Sequence, residues 1–320
     1  MITVQELTAT ELEQQKDIKL PINDRQPAYT DLWITPNGEI LKLFSGNADT
    51  FCHEEIQSDI NTIMSLAQGT SFFEPRFIIP SRVLTIEGKV IGYIMPYSRF
   101  QPLKEIVFQS GQHFKKILLA VQSDIYFLNR KTSYSFCDFH EDNILVGESD
   151  TIIHIDADGW YCGDHRRRRS RYISLSQKRL AAFPDKYDMD DKGYIIGNMN
   201  SDLFCFFFTM INLVMHSTIR FELLSEKEQL KYLGFLADRL NSDEFTTMYL
   251  RLFSKDDNSI TLDGIYFPPD ITVLSYDTFI RISSTFKSEQ EALLFLLEQE
   301  KHLDSIVDER RFNIEGFDTR

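Results

Sequence analysis

Two hydrophobic rhythms divide the chain. Over the first hundred residues, apolar runs are short, alternate with polar positions and end at turn signals. Beyond residue 110 they lengthen and take helical spacing. In the first region, residues 30–35 and 39–44 flank Pro36-Asn37-Gly38, and Asn-Gly between two β-rich runs predicts a hairpin. Its second strand carries Lys42 between Leu41 and Leu43. Further strands are expected at 77–80, 82–86 and 90–97, the last two joined by a turn at Glu87-Gly88-Lys89. Ile56, Ile60, Ile63 and Ala67 recur at helical intervals and predict a helix over about 49–66. Residues 1 to about 26 are polar with weak periodicity, and read as a strand after a flexible start.

In the second region, Phe114, Ile117, Leu118, Val121, Ile125 and Leu128 line one face of a helix expected over 111–129. Residues 203–215 are apolar almost all round, which describes a buried helix, with Asp202 placed to cap it. Amphipathic helices are expected at 226–242, 245–253 and 289–302, with Pro268-Pro269 between the last two and a charged, loose tail over 303–320. Between the two regions, residues 135–163 read as strand, polar loop, strand, polar loop. The apolar runs 144–146 and 152–155 form a short buried hairpin. Asp138, Asn143, Asp156 and Asp158 fall at one end of it. Carboxylate and amide oxygens at a strand end are hard ligands, suited to Mg²⁺ carrying a phosphate chain.

Composition narrows the picture. A chain of 320 residues with 42% hydrophobic and 13% aromatic content has ample material for a core. A net charge of −14 argues against general binding to nucleic acid or a membrane surface. One local exception is the run Arg166–Arg169 with Arg171, which fits an acidic or phosphorylated protein partner; Ser170 within it is a candidate phosphorylation site. Cys52, Cys137, Cys162 and Cys205 form no CxxC pair and sit in apolar contexts, as buried thiols in a reducing cytoplasm would. His154, His165, Cys137 and Cys162 lack zinc-site spacing. The start of the chain is polar rather than signal-like, and no apolar run is long enough to span a bilayer.

Asp138-Phe-His-Glu-Asp-Asn143, followed thirteen residues later by Asp156, resembles the D-x-x-x-x-N and D-x-G loops of the protein-kinase superfamily. Its form is nearest the small atypical bacterial or phage-type Ser/Thr kinases. The second motif could start at Asp156 or Asp158, and the interval favours Asp156. The resemblance implies an α+β, two-lobed fold. An N-terminal lobe over 1–97 would hold an antiparallel sheet and one helix. A hinge would lie near 95–98, and a mainly helical lobe over 98–320 would carry the catalytic and metal loops at 136–160. It implies transfer of the γ-phosphoryl group of MgATP to a hydroxyl, foremost on a protein Ser/Thr. Asp138 would be the base, with His140 beside the γ-phosphate. Asn143 and Asp156, with Asp158, would hold Mg²⁺. Lys42 would hold the phosphates, braced by Glu55 or Asp59, and Met95 and Tyr97 would flank the adenine. Phe136-Cys137 replaces His-Arg, so activity would need no phosphorylated activation loop. Asp202 would anchor the catalytic-loop backbone, and Phe183–Tyr187 resembles the end of the activation segment. The segment 22–29, where a glycine-rich phosphate loop would fall, contains no glycine; Arg25 would substitute as a cation. Three rival readings share these residues: a small-molecule kinase, an AMP transferase and a binding module without chemistry.

Overall fold

The computed structural model describes residues 2–20, 30–44, 53–69, 75–132, 134–162, 170–189, 195 and 197–284, with backbone alone at 53–55, 69, 161, 162, 171, 283 and 284. The protein is α+β, with a mixed N-terminal sheet and a mainly helical C-terminal region.

In chain order, β1 (Thr3–Glu6), α1 (Ala9–Gln14) and β2 (Ile18–Lys19) precede the expected hairpin, β3 (Thr30–Ile34) and β4 (Ile40–Phe44). Helix α2 (His53–Gly69) follows, then β5 (Arg82–Ile86), β6 (Lys89–Met95) and β7 (Gln101–Pro102). Helix α3 (Gly111–Lys131) leads to β8 (Tyr134–Ser135), β9 (Ile144–Val146), β10 (Ile152–His154) and β11 (Tyr161–Cys162). The remaining described helices are α4 (Arg171–Leu180), α5 (Met199–Met215), α6 (Glu226–Leu240), α7 (Glu244–Leu252) and α8 (Tyr276–Ser284).

The chain divides into two compact units. The first takes in Met1–Ile106, Ser123–Arg171 and Asp188–Asp202. Its main sheet has the order β1-β5-β6-β4-β3-β2. All neighbours but one are antiparallel. The exception corrects the expectation of a wholly antiparallel sheet: β1 runs parallel to β5, pairing Thr3 with Arg82 and Glu6 with Thr85. Parallel pairing needs a long connection, and here it runs through α1, β2, β3, β4 and α2. The β3–β4 turn closes where Asn-Gly predicts it, with Gly38 at φ 75° and its N–H donating to the Thr35 carbonyl at 2.8 Å. β4 is central, and Ile40 to Leu43 are all buried. Leu41 and Leu43 share one face and pack with Leu7, Leu84 and Ile94. Lys42 therefore faces the other way. Gly92 of β6 lies opposite Leu43, where a Cβ would come within 2.2 Å of the Lys42 carbonyl oxygen, so close approach of these strands requires glycine.

A second sheet, β10-β9-β7, completes the hairpin expected around residue 150. The run 77–80 forms no strand; Phe77 makes a single parallel bridge to His154. On α2 the buried positions are Ser58, Asp59, Thr62, Ile63 and Leu66, a more polar face than the isoleucine spacing predicts. That face packs on residues 157–160, where Thr62 Oγ1 donates to the Trp160 carbonyl at 3.3 Å.

The second unit comprises Val107–Gln122, Tyr172–Tyr187 and the chain from Leu203 onward. On α3, Phe114, Ile117, Leu118 and Val121 are fully buried here, as are Ile125 and Leu128 in the first unit. The residues of α5 from Leu203 to Ile211 are all buried. Phe207 and Phe208 meet Phe221, which in turn contacts Tyr232 of α6 and Tyr249 of α7. Helix α5 begins three residues ahead of Asp202. Its cap is Asn198, whose Oδ1 accepts from the Ser201 N–H at 2.9 Å, not Asp202 as expected. The expected helix at 289–302 lies outside the described residues. Among those described, no helix is long and apolar enough to cross a membrane.

Candidate functional site

Lys42 reaches the site from the middle of β4. Its ammonium lies 2.8 Å from Asp156 Oδ1 and 2.7 Å from Asp158 Oδ2. The Asp158 side chain is wholly buried and that of Lys42 nearly so, whereas Asp156 is 25% exposed. One lysine thus binds two acidic side chains more than a hundred residues away. Tyr93 stands directly across from Lys42 in the β4–β6 ladder, and the ammonium lies 5.8 Å from the centre of its ring. Burial, then the negative charge of Asp158, pushes the Tyr93 phenol well above its usual value.

Strand β10 ends at His154, and two residues later Asp156 adopts the left-handed region (φ 65°, ψ 45°). This conformation costs a non-glycine residue on the order of 1 kcal/mol. A single turn of 3-10 helix over Ala157–Gly159 then brings Asp158 back beside its neighbour. The two carboxylates are placed on the same cation by that reversal, not by strand alternation.

The loop 136–143 is held from several sides. Asp202 accepts from the Phe136 N–H at 3.0 Å through Oδ2 and from the Cys137 N–H at 3.1 Å through Oδ1. Oδ2 also accepts from Asn129 Nδ2 at 2.8 Å. Asp202 therefore anchors the loop as expected. Cys137 has φ 54°, and the Asp138 N–H turns back to the Phe136 carbonyl, a strained tight turn that the Asp202 bonds fix. Asn143 donates its side-chain amide to the Asp138 carbonyl at 3.0 Å, and its own carbonyl accepts from the Ile155 N–H at 3.0 Å. One residue therefore ties the Asp138 loop to the strand end that carries Asp156. Gly159 sits beside Asp138, with room for a Cβ only at ordinary contact, 3.4 Å from the Asp138 Cβ.

His140 lies within this loop. Its Nδ1 accepts from the Asp142 N–H at 3.2 Å, so the neutral ring carries its proton on Nε2, which faces Asp138 Oδ1 at 3.8 Å. Lys104 pairs with Asp142 at 2.5 Å.

The structure thus brings Lys42, Asp156 and Asp158 together directly, and joins Asp138, His140 and Asn143 to them through Gly159 and Ile155. Asp59 is 2% exposed on the face of α2 that packs against residues 157–160. The Glu55 side chain and Arg25 lie outside the described residues. Met95 closes β6 opposite Ile40, while Tyr97 lies beyond the strand and is 46% exposed. Of the arginine run, 166–169 lie outside the described residues. Ser170 is fully buried, its N–H donating to the Cys137 carbonyl at 3.2 Å, which removes it as an accessible phosphorylation site in this conformation.

Asp156 and Asp158 supply carboxylate oxygens, and Asn143 an amide oxygen, of the kind Mg²⁺ prefers. Among the described residues, no three His, Cys, Asp or Glu side chains cluster as a metal site. Sequence reasoning passed over Tyr93 and Asp124, and weighed His154 only as a zinc ligand. Their roles depend on pairings between distant segments, for which periodicity gives no signal.

No protein-family model matches the chain, and no characterised protein matches it significantly.

Proposed function

We propose that this protein is an ATP-dependent phosphotransferase of protein-kinase-like, two-lobed architecture, moving the γ-phosphoryl group of ATP to a hydroxyl, foremost a protein Ser or Thr, in the cytoplasm. The observation that carries this reading is the ammonium of Lys42 set 2.8 and 2.7 Å from Asp156 and Asp158. The resemblance assigns that lysine to the phosphates and those aspartates to the metal, whereas the carboxylate it expects beside Lys42 is Glu55 or Asp59. The Asp202 bonds to the backbone of residues 136 and 137 support the reading independently.

In this scheme Asp138 orients the acceptor hydroxyl and takes its proton as oxygen attacks the γ-phosphorus. The bond from that phosphorus to the bridging oxygen breaks, and ADP leaves. Lys42 neutralises charge on the phosphate chain, and Asn143 keeps Asp138 in register with Asp156. A magnesium ion on Asp156, Asp158 and Asn143 would supply charge neutralisation at the transferring group. The protein's contribution is mainly placement and electrostatics. A second reading, a small-molecule acceptor, draws support from His140, whose Nε2–H faces Asp138 and could bind a compact polyol or sugar hydroxyl.

The test is transfer from γ-labelled ATP with Mg²⁺, using cell lysate and a metabolite set as separate acceptors. Wild type should label protein Ser/Thr. Asp138→Ala should keep the MgATP-dependent thermal shift and lose transfer, whereas Asp156→Ala should lose the shift as well. Turnover retained in either variant defeats the assignment. Label on metabolites alone selects the second reading, a product heavier by AMP selects adenylyl transfer, and no shift with no label selects a binding module.

A further inference from the structure

We infer that His154 is a positioning residue that locks together the two loops carrying Asp138 and Asp156. It sits two residues before Asp156 and is 1% exposed. Its backbone is held on both sides by a separate segment: its N–H donates to the Arg76 carbonyl, and its carbonyl accepts from the Ile78 N–H, each at 2.8 Å. Its ring nitrogen Nε2 lies 2.9 Å from Asp124 Oδ2 on α3, and the Arg76 guanidinium bonds the other oxygen of that carboxylate. The imidazole packs 4.7 Å from Phe136 and 6.2 Å from Phe139, centre to centre. Those two phenylalanines flank Cys137-Asp138. One buried ring thus touches the Asp138 loop on one side and continues as the Asp156 strand on the other, with its orientation fixed by Asp124.

The chemistry of the cluster argues for this role over filling space. Asp124 and His154 are buried, with the partly exposed Arg76 lying over Phe77 and Phe127, and such desolvated charged groups often do no better than apolar side chains of the same volume. A phenylalanine at 154 would stack equally well on Phe136, and it would slide and rotate. An imidazole bonded to a carboxylate has one orientation. The cluster exchanges net stability for a defined angle between two loops.

The assignment rests on the phosphotransferase reading only for its effect on turnover; the loop coupling is measurable without it. The experiment compares full-length wild type with His154→Phe, His154→Gln and Asp124→Asn, by backbone amide hydrogen exchange and by steady-state kinetics with MgATP. In His154→Phe, exchange at 136–138 and at 155–159 should rise about tenfold together, while α6 keeps its protection. The kcat should fall on the order of tenfold or more with a smaller change in KM, because misplacement of reacting groups acts on turnover. His154→Gln, which can still bond Asp124, should recover much of both losses. Unchanged exchange in either loop overturns the proposal, as does a rise in KM alone, or kinetic losses that merely follow thermal stability across the variants. If His154→Phe does not fold, Asp124→Asn, which preserves shape, decides by the same criteria. If wild type neither binds nor turns over MgATP, the phosphotransferase reading falls and the exchange data alone decide the coupling.

Discussion

A lysine shared by two carboxylates in a dry interior is an unequal arrangement. With the Asp158 side chain wholly buried and Asp156 partly open, Asp158 depends on Lys42 more than Asp156 does. Replacing Lys42 by Met removes the cation and leaves Asp158 in a low-dielectric setting. Breaking a buried pair from one side costs about 3–5 kcal/mol. Lys42→Met should therefore lower the unfolding free energy from urea titration at neutral pH by that much, and Lys42→Met combined with Asp158→Asn should recover most of it, since the second change removes the charge that Lys42 balances. Additive losses in the double variant would show that the two side chains are not coupled. Part of this was legible in advance. Leu41-Lys42-Leu43 on a strand puts the lysine on the face opposite the leucines. Nothing local says whether that face is solvent or a site, because the answer lies with residues 156 and 158, which arrive through a left-handed reversal that no propensity announces.

Two elements hold the site from behind, and each can be loosened separately. Where β4 and β6 run opposite one another, Gly92→Ala would drive a methyl into the Lys42 carbonyl, parting the strands that carry Lys42 and Tyr93. The expected cost is about 1–3 kcal/mol of overpacking, read in thermal melts, with faster amide exchange along β4; an unchanged melt would mean that the strands stand further apart. At the start of α5, Asp202 serves three N–H donors at once. Asp202→Ala should cost about 3 kcal/mol or more, since two backbone N–H groups lose a charged acceptor, and Asp202→Asn less, because one oxygen remains; equal losses would contradict the carboxylate's role. Elements whose own residues supply the signal were legible: the Asn-Gly hairpin, the α3 stripe from Phe114 to Leu128, and the turn at Glu87-Gly88. Others were not. Helix α4 was hidden by its basic residues; among its described side chains only Tyr172, Ile173 and Leu180 are buried. Helix α2 turns Ser58, Asp59 and Thr62 inward because its neighbour is a polar loop. The parallel β1–β5 pairing depends on a register between strands some eighty residues apart.

Across the molecule, the abundance of aromatic residues suggested a large core without saying how its polar tips would be met. Tyr187, Tyr232 and Tyr249, all in the second unit, answer this by donating their hydroxyls to oxygens: the Leu252 carbonyl at 2.7 Å, the Leu274 carbonyl at 2.6 Å and Gln229 Oε1 at 2.6 Å. Each bond needs the protonated phenol, since a phenolate would face an acceptor with nothing to donate. Burial is the leading cause that raises all three above their usual value. The folded unit therefore holds protons that the unfolded chain gives up above about pH 10. For a folded pKa raised above the unfolded one, the contribution to stability is intact below the unfolded value and is lost as pH climbs beyond it. Each such tyrosine removes about 1.4 kcal/mol per pH unit in that window. Where the windows of all three overlap they together remove about 4 kcal/mol per unit, a large share of a stability of about 5–15 kcal/mol. Alkaline titration should then show part of the phenolate absorbance near 295 nm developing while the fold persists, and a final part developing only with the loss of far-ultraviolet circular dichroism. Phenylalanine at 187, 232 or 249 should shift that second step to higher pH and make it less steep. Complete ionisation of all 13 tyrosines with the dichroism intact would show that these three hydroxyls are open to solvent and that the packing of α6 and α7 is looser than described.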